Sequence, residues 1–354
     1  MVASGAVKAV VDPVSELADE LYELHRIGAP SDGTAQRSFK SRFMAEADTF
    51  GVWIFFPWSG ELVRYPDKLL HRELRTFRNR NLITVGEQSV LSEARVAVLG
   101  LSVGSNVVDQ FVQTGIGAAY LLGDSDRVSP SNLNRIRASM RHVGMAKIDL
   151  AACKISEIDP YVEQMHLREG YGPSSARVLD EFKPDLIVEE VDDMAVKAQI
   201  RRWAARTRTP LIMVSDIGER SVVDVERHDL EGVRPFNGRL SRGTFDRLAD
   251  GRLDQAELQR VMIKIVGARN LSVRMVTSAA LVGKELAGVP QLGSSAAAGA
   301  AIATVAARSL LVGEVLKSGS YAMSPRRMLK LGRQVGIGEA FGAFRSLRQA
   351  GSGS

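Results

Sequence analysis

The sequence predicts an α/β fold, a doubly wound and mostly parallel sheet with an N-terminal helix and hairpin extension and C-terminal helices. Three observations carry this. Short apolar, β-branched runs recur at 95–99, 118–122, 186–190 and 211–215, as strands buried on both faces require. Helix-period segments separate them at 105–114, 147–158 and 195–207. A glycine turn joins the first run to its helix, and Asp124 closes the next run.

Taken in order, residues 1 to about 30 read as a polar lead with a short helix from Val14 to Ile27. Gly28 to Ser38, rich in Gly, Ser, Pro and Asp, reads as a linker. Two apolar runs around Pro57-Trp58-Ser59-Gly60 predict a β-hairpin from Val52 to Tyr65. Charged and short helices follow at 67–77 and 85–92. The strand Arg95 to Leu99, the turn Gly100 to Gly104, the helix Ser105 to Thr114 and the strand Ala118 to Leu122 make a Rossmann-like βαβ unit. Gly115 stops its helix. After Ser215 the pattern changes to an antiparallel strand at 221–226, a polar irregular stretch at 229–262, and helices at 271–287 and 294–316. Three regions result: an extension over 1–75, the main domain over 76–320, and a basic tail over 321–354 carrying Arg326, Arg327, Lys330, Arg333, Arg345 and Arg348.

Composition narrows the function classes. With 354 residues, 45% apolar and 25% charged, the chain can bury a sizeable core. A net charge of +5, from 46 basic and 41 acidic residues, is too small a surplus to point to nucleic acid. The single Cys153 excludes an internal disulfide and a cysteine-rich zinc site, and the five histidines lack metal-ligand spacing, so no zinc is expected. No secretory signal is read at the N-terminus. The apolar stretch 296–316 is interrupted by Arg308 and Glu314 and reads as a buried helix, not a membrane span. A cytoplasmic protein with no membrane partner is the expectation.

The turn Gly100-Leu101-Ser102-Val103-Gly104-Ser105 lies between strand and helix, where exposed amides attract phosphate. Asp124, about 20 residues on, suits ribose hydroxyls. These features fit ATP, NAD and other adenosine ligands alike. The turn lacks the middle glycine of G-x-G-x-x-G, which weakens a nicotinamide-dependent oxidoreductase. It also matches the G-x-S-x-G elbow of hydrolases, but His228 is the last histidine and lies in a charged segment.

Four further features converge on one resemblance: Asp124-Ser125-Asp126-Arg127-Val128 followed by Ser131-Asn132-Leu133-Asn134-Arg135; Gly144-Met145-Ala146-Lys147; Val191-Asp192-Asp193 at a strand end; and Arg78-Asn79-Arg80 before the core. In this order the chain resembles the E1-like adenylating enzymes of the ThiF/MoeB/HesA kind over residues 76–215, and more loosely beyond. The hairpin, the Gly-Leu-Ser-Val-Gly-Ser turn and Val223 to Arg227 look like a bacterial ThiF-type subgroup often fused to a nitroreductase-like domain, of which this sequence shows none.

The resemblance implies an ATP- and Mg²⁺-dependent adenylyltransferase that activates a carboxylate and releases pyrophosphate. The substrate would be the C-terminus of a carrier protein or peptide, or a small acid. Arg135 and Lys147 would contact the phosphates, Asn132 would position them, Asp124 would bind ribose and Asp192 would hold Mg²⁺. Gly100, Ser102, Gly104 and Asp126 would complete the nucleotide site. Arg80 would act as an arginine finger in a neighbouring subunit, which implies a homodimer. The hairpin and 229–262 would cover the substrate. Alternatives are an NAD(P)-dependent oxidoreductase and a catalytically degenerate scaffold of the same fold.

The sequence departs from the family pattern in places. The turn is one residue short, and Ser102 stands where glycine is usual. Arg135 is followed by Ile136 instead of glutamine, and Val191-Asp192-Asp193 replaces T-D-N. Paired C-x-x-C motifs and the downstream thioester cysteine are absent; Cys153 reads as a small core residue, so transfer would go directly to an amine, thiol or sulfide acceptor.

Overall fold

The computed structural model describes residues 5–26, 32–172, 174–267 and 270–332. They form two compact units, Met1–Val85 with Ser156–Tyr161, and Gly86–Ile155 with Val162–Ser354.

The smaller unit holds β1 (Ala9–Val11), α1 (Val14–His25), α2 (Gly33–Ala45), β2 (Val52–Phe56), β3 (Glu61–Tyr65) and α3 (Lys68–Thr76). The hairpin forms as the sequence indicates, with Val52 opposite Tyr65 and Phe56 opposite Glu61. β1 adds to its other side in parallel, giving the order β1-β3-β2. Residues 33–38 are helical, not linker. Asp32 caps α2 by accepting from the Thr34 amide, and the helix has no buried residue, so no apolar stripe announced it. The remainder of the predicted linker, 28–31, lies outside the described residues, as does Ile27. Trp58 Nε1 donates to Glu157 Oε1 at 2.7 Å, and Arg75 pairs with Asp159 at 2.7 Å.

The larger unit follows in chain order as α4 (Val85–Glu93, beginning at the boundary), β4 (Arg95–Leu99), α5 (Gly104–Thr114), β5 (Ala119–Gly123), α6 (Lys147–Ile158), β6 (Glu163–Leu167), α7 (Ser175–Phe182), β7 (Leu186–Glu189), α8 (Met194–Thr207), β8 (Leu211–Ile217) and β9 (Arg220–Glu226). Then come α9 (Arg242–Ala249), α10 (Gln255–Val266), α11 (Val273–Leu281), α12 (Gly293–Leu311), β10 (Gly319–Met323) and α13 (Pro325–Met328). The sheet order is β10-β9-β8-β7-β4-β5-β6. β6, β5, β4, β7 and β8 run parallel; β9 and β10 are antiparallel. From β4 the chain winds outward through β5 and β6, then returns to β4's other side for β7 and β8. That reversal opens a crevice at the strand C-termini.

Burial explains the strands: Val96, Ala97, Val98 and Leu99 are fully enclosed. Gly115 ends α5 in the left-handed conformation at φ +78°. α12 is long and apolar, yet Ala296, Ala300, Ala303 and Ala307 are buried. Small residues let it approach β8 closely: a Cβ on Gly299 would lie 2.4 Å from Val214 Cγ1. It ends at Leu311, before the expected 316, and the helix expected over 271–287 spans only Val273–Leu281.

The stretch 229–262 is not irregular. It carries α9 and most of α10, capped by Ser241 and Asp254, and its Phe236, Leu240 and Leu248 enter the core. Residues 319–323 likewise pair with β9, so the sheet continues into the stretch read as tail; Arg333, Arg345 and Arg348 lie outside the described residues.

Beneath the sheet lies an ionic cluster. Arg201 on α8 donates from Nη1 to Glu189 Oε2 at 2.6 Å and from Nε to Glu226 Oε1 at 2.7 Å, all three side chains fully buried. Lys197 Nζ reaches Glu189 Oε1 at 2.8 Å, and His228 Nε2 lies 3.1 Å from Glu226 Oε2.

Candidate nucleotide-binding site

The glycine turn is shaped by what lies behind it. Gly100 has φ +95°, and a Cβ there would lie 2.4 Å from the carbonyl carbon and oxygen of Glu190. Only glycine fits both restraints. Gly104 opens α5 within van der Waals reach of Val98 and Glu190, a Cβ there lying 3.2 Å from Val98 Cγ1. Val103 at the N-cap supplies no side-chain cap; its carbonyl accepts from the Asn106 amide at 2.9 Å.

Asp124 clamps this turn. Its Oδ2 accepts from the Leu101 amide at 2.7 Å and its Oδ1 from the Asp126 amide at 2.7 Å. Its side chain is 8% exposed and lies 3.9 Å from Lys147 Nζ. A ribose contact would therefore use the remaining lone pairs of a carboxylate that first holds the loop. Lys147, buried at the start of α6, donates to Asp126 Oδ2 at 2.7 Å.

Arg135 meets the turn directly, its Nε donating to Ser102 Oγ at 3.2 Å. Its Nη1 donates to Ser131 O and Asn134 Oδ1, both at 3.0 Å. Asn106 on α5 donates to the Arg135 carbonyl at 2.9 Å and ties the loop down. Thus Ser102, the departure in the turn, receives Arg135, the arginine expected to contact the phosphates. Asn132 is turned into its own loop: it is buried, and its Oδ1 accepts from the Ser129 amide at 3.0 Å.

Asp192 lies exposed just beyond β7. The cap of α8 is its neighbour Asp193, whose Oδ1 accepts from the Ala195 and Val196 amides at 2.8 and 2.9 Å. Opposite, on β8, Asp216 accepts from Gln291 Nε2 at 3.1 Å through Oδ1, while its Oδ2 is buried without a hydrogen-bond partner. Burial pushes the Asp216 carboxyl up; the Asp192 charge adds to this, and Gln291 and Arg135 oppose it. Asp192, Asp216 and Arg135 therefore share one electrostatic site.

Two acids at this edge escaped the sequence reading. Asp216 ends the next strand over, where a crevice acid was to be sought. Glu190 lies under the turn, accepts from the Val214 amide, and is pushed well above the usual carboxylate range by burial and then by Glu189, against the pull of Lys197. Arg80 belongs to the smaller unit, where it pairs with Glu73 at 2.6 Å and lies over the Phe77 ring. So the structure brings together the turn, Asp124, Asp126, Asn132, Arg135, Lys147 and Asp192 at one sheet edge.

The pattern of known proteins agrees with this geometry. Residues 76–226 match the ThiF family model, and the chain carries a ThiF family domain. Among similar proteins, an uncharacterized Mycobacterium tuberculosis protein, MT1398, is 34% identical over 270 residues, covering 75% of this chain and 37% of that protein. The molybdopterin-synthase adenylyltransferase of Salmonella typhimurium is 30% identical over 146 residues, covering 38% of this chain and 55% of that enzyme. The chain thus spans well under two thirds of these relatives. The crystal structure of Escherichia coli tRNA N6-threonylcarbamoyladenosine dehydratase superposes with a TM-score of 0.50 at 19% identity, covering 68% of this chain and 95% of that one, a likeness of fold.

Proposed function

We propose that this chain activates a carboxylate by ATP-dependent adenylation, the acid being the C-terminus of a carrier protein or peptide, or a small acid. One observation carries the reading: the start of α5, which lacks a side-chain cap, Arg135 bonded to the turn through Ser102, and exposed Asp192 share one crevice. The adenylyltransferase name of the Salmonella relative supports it.

In the reaction, a substrate carboxylate oxygen attacks the α-phosphorus of ATP. The bond from that phosphorus to the bridging oxygen of the β-phosphate breaks, and pyrophosphate leaves with the electron pair. The α5 amides and the guanidinium of Arg135 would stabilise the negative charge that grows there, and fixed donors of this kind cost no reorganisation. Lys147 would exchange its bond to Asp126 for a phosphate oxygen. The acids suit Mg²⁺, which takes one or two carboxylates with phosphate oxygens and water. Asp192 is uncommitted to the helix cap, and Asp216 keeps an orphaned oxygen. The ion would supply Lewis-acid charge to the phosphates. In a homodimer, Arg80 would leave Glu73 and reach the other copy's phosphates.

Acid-dependent exchange of labelled pyrophosphate into ATP, screened with peptides bearing free carboxyl termini and with small acids, tests the reading. Exchange that Arg135→Ala abolishes is expected. No exchange with any acid, together with stabilisation by NAD⁺ or NADPH, would replace it with a redox role.

A further inference from the structure

Gln291, just before α12, bonds to both sides of the crevice. Its Nε2 donates to Asp216 Oδ1 at 3.1 Å, and its carbonyl accepts from Asn134 Nδ2 at 2.9 Å. Asn134 Oδ1 in turn accepts from Arg135 Nη1 at 3.0 Å, and Arg135 Nε reaches Ser102 Oγ at 3.2 Å. One hydrogen-bonded chain therefore runs from Asp216 on β8 through Gln291, Asn134 and Arg135 to the glycine turn. β8 and β5, the strand that feeds the Asn134 loop, stand three places apart in the sheet. Asn134 lies outside every strand, so its place against β8 is left to contacts of this kind.

The sequence mounts Gln291 on a fixed support. Pro290 restricts the backbone ahead of it, and Leu292 begins α12 by accepting from the Ser295 and Ala296 amides. Gly293 opens the helix directly against the Asn134 loop: a Cβ there would run into the Asn134 carbonyl oxygen. Ala296 and Ala300 then bury the helix on its own side, and Gly299 brings it against Val214 of β8. A side chain held this way keeps its direction. Gln291 gives the Asp216 carboxyl a donor through Oδ1, while Oδ2 stays buried without a partner. The plane of that carboxyl is thus set from the start of α12.

We propose that Gln291 is a positioning residue of the nucleotide site: it holds Asp216 and, through Asn134, Arg135 at one fixed separation, and so tunes the site for a polyphosphate with its metal. Gln291 itself touches neither. This deepens the adenylation reading and rests on it. The two ends of the chain act as a unit, since release at either end frees the link between acid and arginine.

Calorimetric titration of the full chain with ATP–Mg²⁺, and separately with AMP in the absence of Mg²⁺, tests this. Gln291→Ala and Asn134→Ala should each weaken ATP–Mg²⁺ about five- to tenfold. Gln291→Met, which keeps the length and loses the donor, should match Gln291→Ala. AMP has one phosphate and brings no metal, so each variant should bind it within about twofold of the native chain. The double variant Gln291→Ala with Asn134→Ala should be no more than about twofold weaker for ATP–Mg²⁺ than the weaker single, whereas independent contacts would multiply their losses. Native affinity in the single variants, multiplied losses in the double, rescue by Gln291→Met, or an equal loss for AMP would each overturn the positioning role while leaving adenylation standing. A native chain that does not bind ATP–Mg²⁺ would refute the adenylation reading and this proposal with it.

Discussion

Replacing Arg201 by Met should destabilise the larger unit strongly at neutral pH and much less in acid. Arg201 bonds Glu189 and Glu226 at 2.6 and 2.7 Å with all three side chains fully buried. Burial acts to raise both carboxyls, but Lys197 and Arg201 pull Glu189 below the usual range, and Arg201 and His228 do the same for Glu226. For depressed carboxyls the stabilisation is complete above the unfolded value, about 4.3, and is lost as pH falls through the folded value. Removing the guanidinium strands buried charge, which costs about 3–5 kcal/mol. For a unit of this size that is a fall in Tm of about 6–20 °C. Burial then dominates in the variant, the carboxyls rise, and protonation recovers stability, so the difference from wild type should shrink from pH 7 toward pH 5. Thermal melts followed by circular dichroism at both pH values give the answer. A loss under about 1 kcal/mol at pH 7, or one that does not vary with pH, would refute the reasoning.

Other expectations follow from the same geometry. Asp216→Asn should raise stability at pH 7, since a carboxyl held above its usual range by burial favours the fold below the unfolded value and loses that contribution as pH rises. Urea midpoints at pH 5 and 7 would show the variant's flatter profile; an unchanged profile would contradict it. Gly100→Ala should cost more than about 2 kcal/mol and abolish ATP-dependent stabilisation, because its Cβ would meet the Glu190 carbonyl at 2.4 Å. Gly144→Ala, at φ +89° but with nothing within 4 Å of the new atom, should cost only backbone strain, about 1 kcal/mol; equal costs for both would show that the close approach is unimportant.

What was legible in the sequence was whatever burial writes as pattern. The apolar runs of β4 and β7 and the Gly100 turn announced the sheet and its crevice, and the paired motifs from Asp124 to Lys147 announced the site. Elements with weak burial stayed hidden. Edge strand β6 reads Glu-Gln-Met-His-Leu with no enclosed position, and α2 buries nothing. The helices in 229–262 were obscured by charged outer faces. Glu189, Arg201 and Glu226 were unreadable for another reason: charge predicts exposure, and only the fold brings three charged residues distant in sequence into one dry cluster. In the site, that Asp193 caps α8 while Asp192 does not turns on one residue's direction, which no spacing rule resolves.

Thermal stabilisation by ATP with Mg²⁺, compared between the native chain and Asp192→Ala, tests the nucleotide site most directly. ATP–Mg²⁺ at a hundred times its Kd should stabilise the native chain by about 2.7 kcal/mol. Asp192→Ala should keep its own melting temperature and lose most of that gain. A variant that gains as much as the native chain, or a native chain stabilised by NADPH and not by ATP, would contradict an adenylation site at this sheet edge.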